Sequence, residues 1–380
     1  MTMILDGTNG ATFNDGSLQA AAASPFSLKN RIINGAMVID QRNAGASVTA
    51  DGNAVFPVDR WKIEDATDGV FTGQQVSDAP VGASYSLKVT ITTADASLGA
   101  TQYASCYQLI EGYNTADLAW GTANAQTVTL SFWVKSSLTG TFGGSVTNSG
   151  WGSTYPFTYT ISAANTWEYK TVTIAGSTSG TWLTTNGLGI GLFFGLGVGA
   201  DYSGTAGAWT TGVKISATGA TSVVGTNGAT FYITGVQLER NTTATPFEWL
   251  PYSTELALCQ RYYYKTFGQE VAPVNGAAYT NGIGVPAIGT AYTTSSVRNQ
   301  VVFPQPMRTT PTVTYFNSNV DASPTADRWF IYNAGTWTNS TSISSGEVSP
   351  LYVSPNVVLT GLTRGYSYLL SGFLTASAEL

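Results

Sequence analysis

The chain has 380 residues, of which 10% are charged, 12% are aromatic and 42 are glycine, and its formal net charge is −6. This length allows two or three domains that each bury a core, and the aromatic content excludes a disordered chain. A negative chain has no electrostatic reason to bind nucleic acid or anionic lipid. The absence of histidine excludes histidine-dependent nucleophiles and histidine-ligated metal sites.

The two cysteines, Cys106 and Cys259, are too few for a disulfide scaffold, and their apolar or aromatic neighbours predict buried free thiols.

No basic segment followed by an apolar one marks a signal peptide. The longest apolar run, residues 187–200, is shorter than the ~18 residues of a membrane-spanning helix, so no membrane insertion is expected. The composition is typical of a protein that faces the environment, yet no export signal is present. A virus particle, assembled in the host cytoplasm and released by lysis, accounts for both features.

Residues 1–30 are small, polar and rich in turn-forming types, and they lack the apolar residues of a core. We interpret them as an extended arm that anchors the protein in a larger assembly. From residue 31 to about 240, the pattern predicts strand after strand, with turn residues every ~8–12 positions, as in a β-sandwich or jelly roll. Residues 126–137 illustrate the alternation, because every second residue is apolar: Val128, Leu130, Phe132 and Val134.

Residues 187–200 predict a strand with two very different faces. Every even position from Leu188 to Val198 is apolar, whereas the odd positions are glycine except for Phe193. One face is therefore a continuous apolar stripe, and the other is nearly bare backbone that another strand, a subunit or a ligand can approach closely. Together with the weakly charged surface and the N-terminal arm, the bare face predicts a homotrimer.

Residues 241–260 are unlike the segments around them and are interpreted as a linker. Pro246 and Pro251 each disfavour helix at the preceding residue, and a short helical turn is predicted over residues 253–260. The basic, aromatic stretch RYYYK, residues 261–265, could form a base-stacking platform. Because no other basic cluster accompanies it, we interpret it instead as the first strand of a second domain.

Three stretches resemble structural proteins of tailed bacteriophages and prophages. They are NRIINGAMVIDQRNAGASV (residues 30–48) leading to PVDRW (residues 57–61), ITGVQLERNTTATPFEWLPYSTELALCQRYYYK (residues 233–265) and the ending SGFLTASAEL (residues 371–380). The region between them resembles a jelly roll of the carbohydrate-binding-module type. The resemblance implies an all-β fold with an N-terminal arm (1–30), a jelly-roll β-sandwich (31–240), the linker (241–260) and a smaller C-terminal β-sandwich (261–380).

The resemblance also implies a fibre, spike or decoration protein on the surface of the virion, often trimeric. Its N-terminal arm would contact other virion proteins, and it would mediate host attachment through cell-surface glycans. Sugar rings stack on flat aromatic faces. Five aromatic residues in open, turn-rich segments are the predicted glycan contacts, although each could instead be an ordinary core or rim aromatic: Trp120, Trp151, Tyr155, Trp182 and Trp209.

Two alternatives stay open at this point. A head or tail decoration protein without any ligand would have the same rigid β composition. A glycan-cleaving spike would need two paired carboxylates, but no recognisable spacing marks the acids of the first sandwich, namely Glu111, Asp117, Glu168 and Asp201. We therefore expect no catalytic residues and no enzyme. No cofactor is expected, and no Asp-rich loop predicts a metal site.

Overall fold

In the computed structural model, the described residues are 28–278, 287–318, 328–333 and 335–380, together with the backbone of three short strands before residue 28. These strands, β1 (Ile4–Asp6), β2 (Gly10–Thr12) and β3 (Leu18–Gln19), form a small antiparallel sheet. Part of the predicted extended arm is therefore paired β-structure. The rest of residues 1–27 lies outside the described residues, and the anchoring role of the arm stays a prediction.

The first sandwich consists of two antiparallel sheets of six strands each, which confirms the all-β fold class. Its strands are β4 (Val48–Ala50), β5 (Ala54–Val58), β6 (Trp61–Ala66), β7 (Val70–Val76), β8 (Ser86–Thr93), β9 (Tyr103–Glu111), β10 (Val128–Ser136), β11 (Gly140–Thr147), β12 (Thr154–Ile161), β13 (Glu168–Ile174), β14 (Leu188–Val198), β15 (Ser203–Gly204), β16 (Ser216–Ala217) and β17 (Thr230–Glu239). Sheet I has the order β13-β10-β17-β8-β7-β4, and sheet II has the order β12-β11-β14-β9-β6-β5.

The core lies between sheets I and II and follows the alternation of the strands. The apolar positions of β10 and the central even positions of β14, from Ile190 to Leu196, are buried in one cluster, as their period of two predicts. Cys106 of β9 lies in this core as a free thiol, and Cys259 is likewise buried and free. The two thiols therefore occupy the environments that the sequence predicted.

The bare face of β14 is covered by the chain's own residues. β15 and β16 pair in parallel, and the segment that contains them lies on the outer surface of sheet II. A Cβ atom built on Gly195 would lie 2.6 Å from the side chain of Ser216, and one on Gly143 of β11 would lie 2.4 Å from the same side chain. Glycine at these positions is what allows β16 to approach the sheet.

The outer face of sheet II provides a stability test. We expect Gly195→Ala to lower the free energy of unfolding by about 1–3 kcal/mol, because the added methyl group must displace β16. Gly150→Ala is the matched control, since a Cβ atom there meets nothing within 4 Å. Urea unfolding followed by fluorescence measures both. An equally small loss in the two variants would contradict the close packing of β16.

The C-terminal unit begins after helix α1 (Tyr252–Gln260) and is also a β-sandwich. Its strands are β18 (Tyr263–Lys265), β19 (Ala287–Thr293), β20 (Ser296–Arg298), β21 (Val301–Val302), β22 (Thr312–Phe316), β23 (Phe330–Asn333), β24 (Thr336–Asn339), β25 (Ser342–Val348), β26 (Tyr352–Val358), β27 (Ser367–Ser371) and β28 (Phe373–Ser377). Sheet III has the order β18-β28-β22. Sheet IV has the order β21-β26-β20-β19-β27-β23-β24, with β25 paired to β26.

Residues 31–47 contain no strand, which corrects the expectation of continuous strands from residue 31. The segment instead packs into the joint between the two sandwiches, where Ile33 and Ile39 share a small buried cluster with Cys259 and Tyr262. The amide of Asn34 donates to the carbonyls of Ile39 and Asp59. These side-chain bonds replace the ladder bonds that a strand would have made.

The RYYYK stretch forms the C-terminal side of this joint. Its last three residues form strand β18, which confirms the predicted strand, and β18 pairs with β28. Arg261 donates two hydrogen bonds to the buried carboxylate of Glu111 in sheet II, at 2.8 and 2.6 Å. The hydroxyl of Tyr262 donates to the same carboxylate at 2.6 Å. The basic and aromatic side chains therefore bind the two sandwiches to each other.

Lys265 is buried, and its ammonium donates to the carbonyls of Gln269 and Val271 at 2.9 and 2.8 Å. Burial lowers the pKa of Lys265 to about 8, although Asp59 and Asp40 act to raise it. A folded-state pKa below the unfolded value of 10.5 means that the unfolded chain binds more protons between these two pH values. Lys265 therefore makes the free energy of unfolding rise as the pH increases from about 8 towards 10.5.

We predict that Lys265→Met abolishes this rise. The difference in unfolding free energy between the native protein and the variant should grow in favour of the native protein between pH 7.5 and pH 9.5. Urea unfolding at the two pH values measures it, and taking the difference cancels the titration of groups common to both proteins. A difference that is independent of pH would show that Lys265 titrates as an ordinary surface lysine.

Candidate functional site

Four of the five predicted glycan contacts meet at one end of the first sandwich. Trp120 follows the short 3-10 turn Ala116–Leu118, Trp182 lies between β13 and β14, and Trp209 lies between β15 and β16. The ring centroids of Trp120 and Trp182 are 4.7 Å apart, and Trp209 lies 5.4 Å from the first and 5.6 Å from the second. Tyr155 of β12 adds a fourth ring, 5.3 Å from Trp209. We call these four residues the tryptophan cluster.

Backbone carbonyls hold the three indole rings in place. The indole N–H of Trp120 donates to the carbonyl of Gln126 at 2.7 Å. The indole N–H of Trp182 donates to Ser179 at 3.1 Å, and that of Trp209 to Ala175 at 2.8 Å. Since these donors are occupied, the cluster offers its ring faces and edges, rather than its N–H groups, to a ligand.

The rings differ in their access to solvent. Trp120 is 7% exposed and belongs to the core of the first sandwich. It supports the other rings and leaves little ring surface for stacking, although it lines the cleft described below, so its role as a direct glycan contact stays a prediction. Tyr155, Trp182 and Trp209 pack against the edge of the core and stay partly exposed. Burial raises the pKa of the Tyr155 hydroxyl, which is therefore neutral at physiological pH.

A small cleft lies beside Trp120 and Trp182. None of its lining side chains is charged: Thr115, Ala116, Ala119, Trp120, Trp182, Leu183, Thr184 and Ile190. Thr184 is exposed, and its hydroxyl makes no hydrogen bond within the described part of the chain. An aromatic wall next to a free hydroxyl, without charge, matches a neutral ligand that has both apolar C–H faces and hydroxyl groups.

Trp151, the fifth predicted contact, lies apart from the cluster. It occupies the turn between β11 and β12 with a left-handed backbone (φ 54°), and its ring lies 5.2 Å from Phe193 on the outer face of sheet II. Phe193 in turn stacks on Tyr107 at 4.8 Å. The structure therefore assigns Trp151 to the apolar layer between sheet II and the segment that covers it.

The sequence prediction missed a second group of aromatics, on the outer face of sheet I. Trp133 and Tyr169 are cross-strand neighbours with centroids 5.3 Å apart, and Trp167 lies 6.1 Å from Tyr232. The ammonium of Lys135 lies 4.3 Å from the Tyr232 ring centroid. The signal was present in the sequence, because these aromatics occupy the polar side of alternating strands, where threonine and serine are otherwise found.

Three of the four carboxylates considered for glycan cleavage are bound by other side chains of the protein. Glu111 is buried and bound by Arg261 and Tyr262. Asp117 accepts a hydrogen bond from Arg31 at 2.6 Å, and Glu168 accepts one from Lys170 at 2.6 Å. Among the described residues, no group of three or more Asp, Glu or Cys side chains could hold a metal ion, and no helix has the length and apolar character to cross a membrane.

Comparison with known proteins gives partial likenesses only. No protein-family model matches the sequence, and no curated protein matches it. The enzymatically active domain of tailspike protein 4 from bacteriophage CBA120 matches 56% of this chain at 15% identity with a TM-score of 0.30, and this chain spans 21% of that domain. A family 11 carbohydrate-binding module from Clostridium thermocellum, solved with a β-1,3-1,4-mixed-linked tetrasaccharide, matches 52% of this chain and 98% of the module, at 12% identity and a TM-score of 0.27.

A protein from Bacteroides thetaiotaomicron that is described as sugar-binding matches 56% of this chain. The match covers 100% of the Bacteroides protein, at 13% identity and a TM-score of 0.32. These TM-scores are low, and the candidate site is defined by contacts within this chain alone. The tryptophan cluster brings four of the five predicted contacts together, and their role in glycan binding stays a prediction.

Proposed function

We propose that this protein is a surface fibre protein of a tailed bacteriophage virion that attaches to host cells by binding a cell-surface glycan. The observation that carries the glycan part is the tryptophan cluster, in which three partly exposed rings lie against one another and one of them, Trp182, lines an uncharged cleft. The virion part is supported by a resemblance to phage structural proteins, which lies in residues 30–48, 57–61, 233–265 and 371–380. In this proposal, residues 1–30 contact other virion proteins.

A rigid aromatic platform suits a sugar for physical reasons. The C–H face of a pyranose covers apolar ring surface that would otherwise stay in water, and the free hydroxyl of Thr184 offers hydrogen-bonding capacity at the rim. Stacking contributes about 1 kcal/mol per ring beyond the area buried, by analogy with aromatic pairs. A single site is therefore weak, and several copies on one particle would strengthen attachment by avidity.

We further propose that the protein binds glycans without cleaving them. Cleavage requires an acid that can donate a proton and a second carboxylate that can act as base or nucleophile, roughly 5–10 Å apart. Glu111, Asp117 and Glu168 are each engaged by a cationic side chain, and no acid lines the cleft beside Trp120 and Trp182.

A glycan array that carries bacterial capsular polysaccharides and O-antigens tests the proposal with the full-length protein. We expect binding to a restricted set of glycans. Trp182→Ala and Trp209→Ala should each weaken that binding about fivefold, the equivalent of about 1 kcal/mol. Trp249→Ala is the matched control, because Trp249 is 54% exposed and lies outside the tryptophan cluster. The thermal unfolding of each variant shows whether the fold is intact.

Three outcomes would contradict parts of the proposal. Binding that is weakened by Trp133→Ala but not by the cluster variants would move the site to the outer face of sheet I. Release of reducing ends from a bound glycan would identify a glycan-cleaving spike. No binding to any glycan, together with unchanged adsorption of the cluster variants to cells, would favour a decoration protein without ligand.

A further inference from the structure

The outer face of sheet IV carries a row of exposed apolar side chains. Trp337 of β24 is the direct cross-strand neighbour of Tyr332 in β23, which is in turn the neighbour of Leu369 in β27. These side chains are 46%, 39% and 40% exposed. The Trp337 and Tyr332 ring centroids are 5.4 Å apart, and Phe330 adds a fourth apolar side chain at 6.2 Å from Trp337. We call this row the sheet IV patch.

The patch reaches an unprotected sheet edge. β24 is the terminal strand of sheet IV within the described part of the chain, and all four of its residues are exposed. Edge strands of soluble proteins usually carry a lysine, a proline or a bulge that discourages pairing with another chain. The sequence of β24, TWTN, contains no proline or charged residue, and its pairing with β23 is regular.

The charge distribution indicates which partner can approach this face. The chain has a net charge of −6, so the net charges of two copies oppose their association. The three strands of the patch contain no charged residue in their sequences FIYN, TWTN and SYLLS. A neutral apolar face on a negative protein is where a second copy meets the least repulsion and gains the most from apolar burial.

We propose that a second copy of this chain docks on the sheet IV patch. This assigns the self-association expected from the sequence to a different surface, because the bare face of β14 is filled by the chain's own β16. Docking would cover Tyr332, Trp337 and Leu369 and place the free edge of β24 beside the neighbouring copy. The proposal does not depend on glycan binding, since the patch and the tryptophan cluster belong to different sandwiches.

Multi-angle light scattering of the full-length protein at micromolar concentrations tests this. The native protein should have a mass that is a multiple of the 39.9 kDa chain. Trp337→Lys and Leu369→Lys should shift the mass to that of one chain, because each places a charge within the contact. Trp249→Lys, at an exposed tryptophan outside the patch, is the control and should leave the mass unchanged.

The proposal is overturned if the native protein has the mass of one chain, or if both patch variants keep the native mass. Since all substituted side chains are exposed, the fold is expected to survive, and unchanged thermal unfolding of the single-chain species would confirm it. If one variant unfolds, Tyr332→Lys, at a further exposed position of the patch, takes its place in the test.

Discussion

The close approach of β16 to the glycine-bare face of β14 is the constraint on which the candidate site depends. Ser216 lies where side chains at Gly195 and Gly143 would otherwise project. Because the strand can lie on the sheet, the segment between β15 and β16 is held at the end of the sandwich. A bridge between Thr210 and Thr154 fixes that segment and brings Trp209 to Trp120 and Trp182. The glycine face of β14 thus determines where Trp209 joins the tryptophan cluster, although the cluster does not lie on that face.

Buried charged side chains are the second constraint, and they hold the joint between the two sandwiches together. The two-residue turn Asp59–Arg60 in PVDRW directs both side chains to the joint, where Arg42 contacts Asp59 at 3.2 Å and Glu379 at 2.9 Å. Burial raises the pKa of Asp59 to about 6, although Arg42 acts to lower it. Burial also acts to raise the pKa of Glu379, but Arg60 and Arg42 outweigh it and lower that pKa below its usual value. As the pH falls, Asp59 therefore favours the folded state while Glu379 loses its stabilising contribution, so the two effects oppose each other.

The sequence predicted those features of the structure that local alternation of apolar residues determines, and it missed those that long-range packing determines. Period-two alternation predicted the strands and the core of the first sandwich, because burial of one sheet face imposes it residue by residue. The same reasoning failed over residues 31–47, because the segment forms no strand: Ile33 and Ile39 are buried in the joint, while Ile32 and Met37 are buried in the core of the first sandwich. Alternation also could not show that Trp120 is buried in the core while Trp182 lies at its edge, since both residues lie in turn-rich segments and only long-range packing distinguishes them.

The stretches that resemble phage proteins meet at the joint, through Asn34, Asp59, Arg261 and Glu379. That resemblance therefore describes the scaffold and not the candidate site.

The most direct test of glycan binding at the tryptophan cluster is to observe the individual tryptophans while a glycan binds. Fluorine NMR of the protein labelled with 5-fluorotryptophan, with resonances assigned by single Trp→Phe substitutions, separates the rings during titration with a glycan that the array identifies. We expect the Trp182 and Trp209 resonances to shift in a saturable way, while that of Trp249 stays unchanged. Shifts confined to Trp133 and Trp167, or no shift at any ring during saturable binding, would contradict the assignment of glycan binding to the tryptophan cluster.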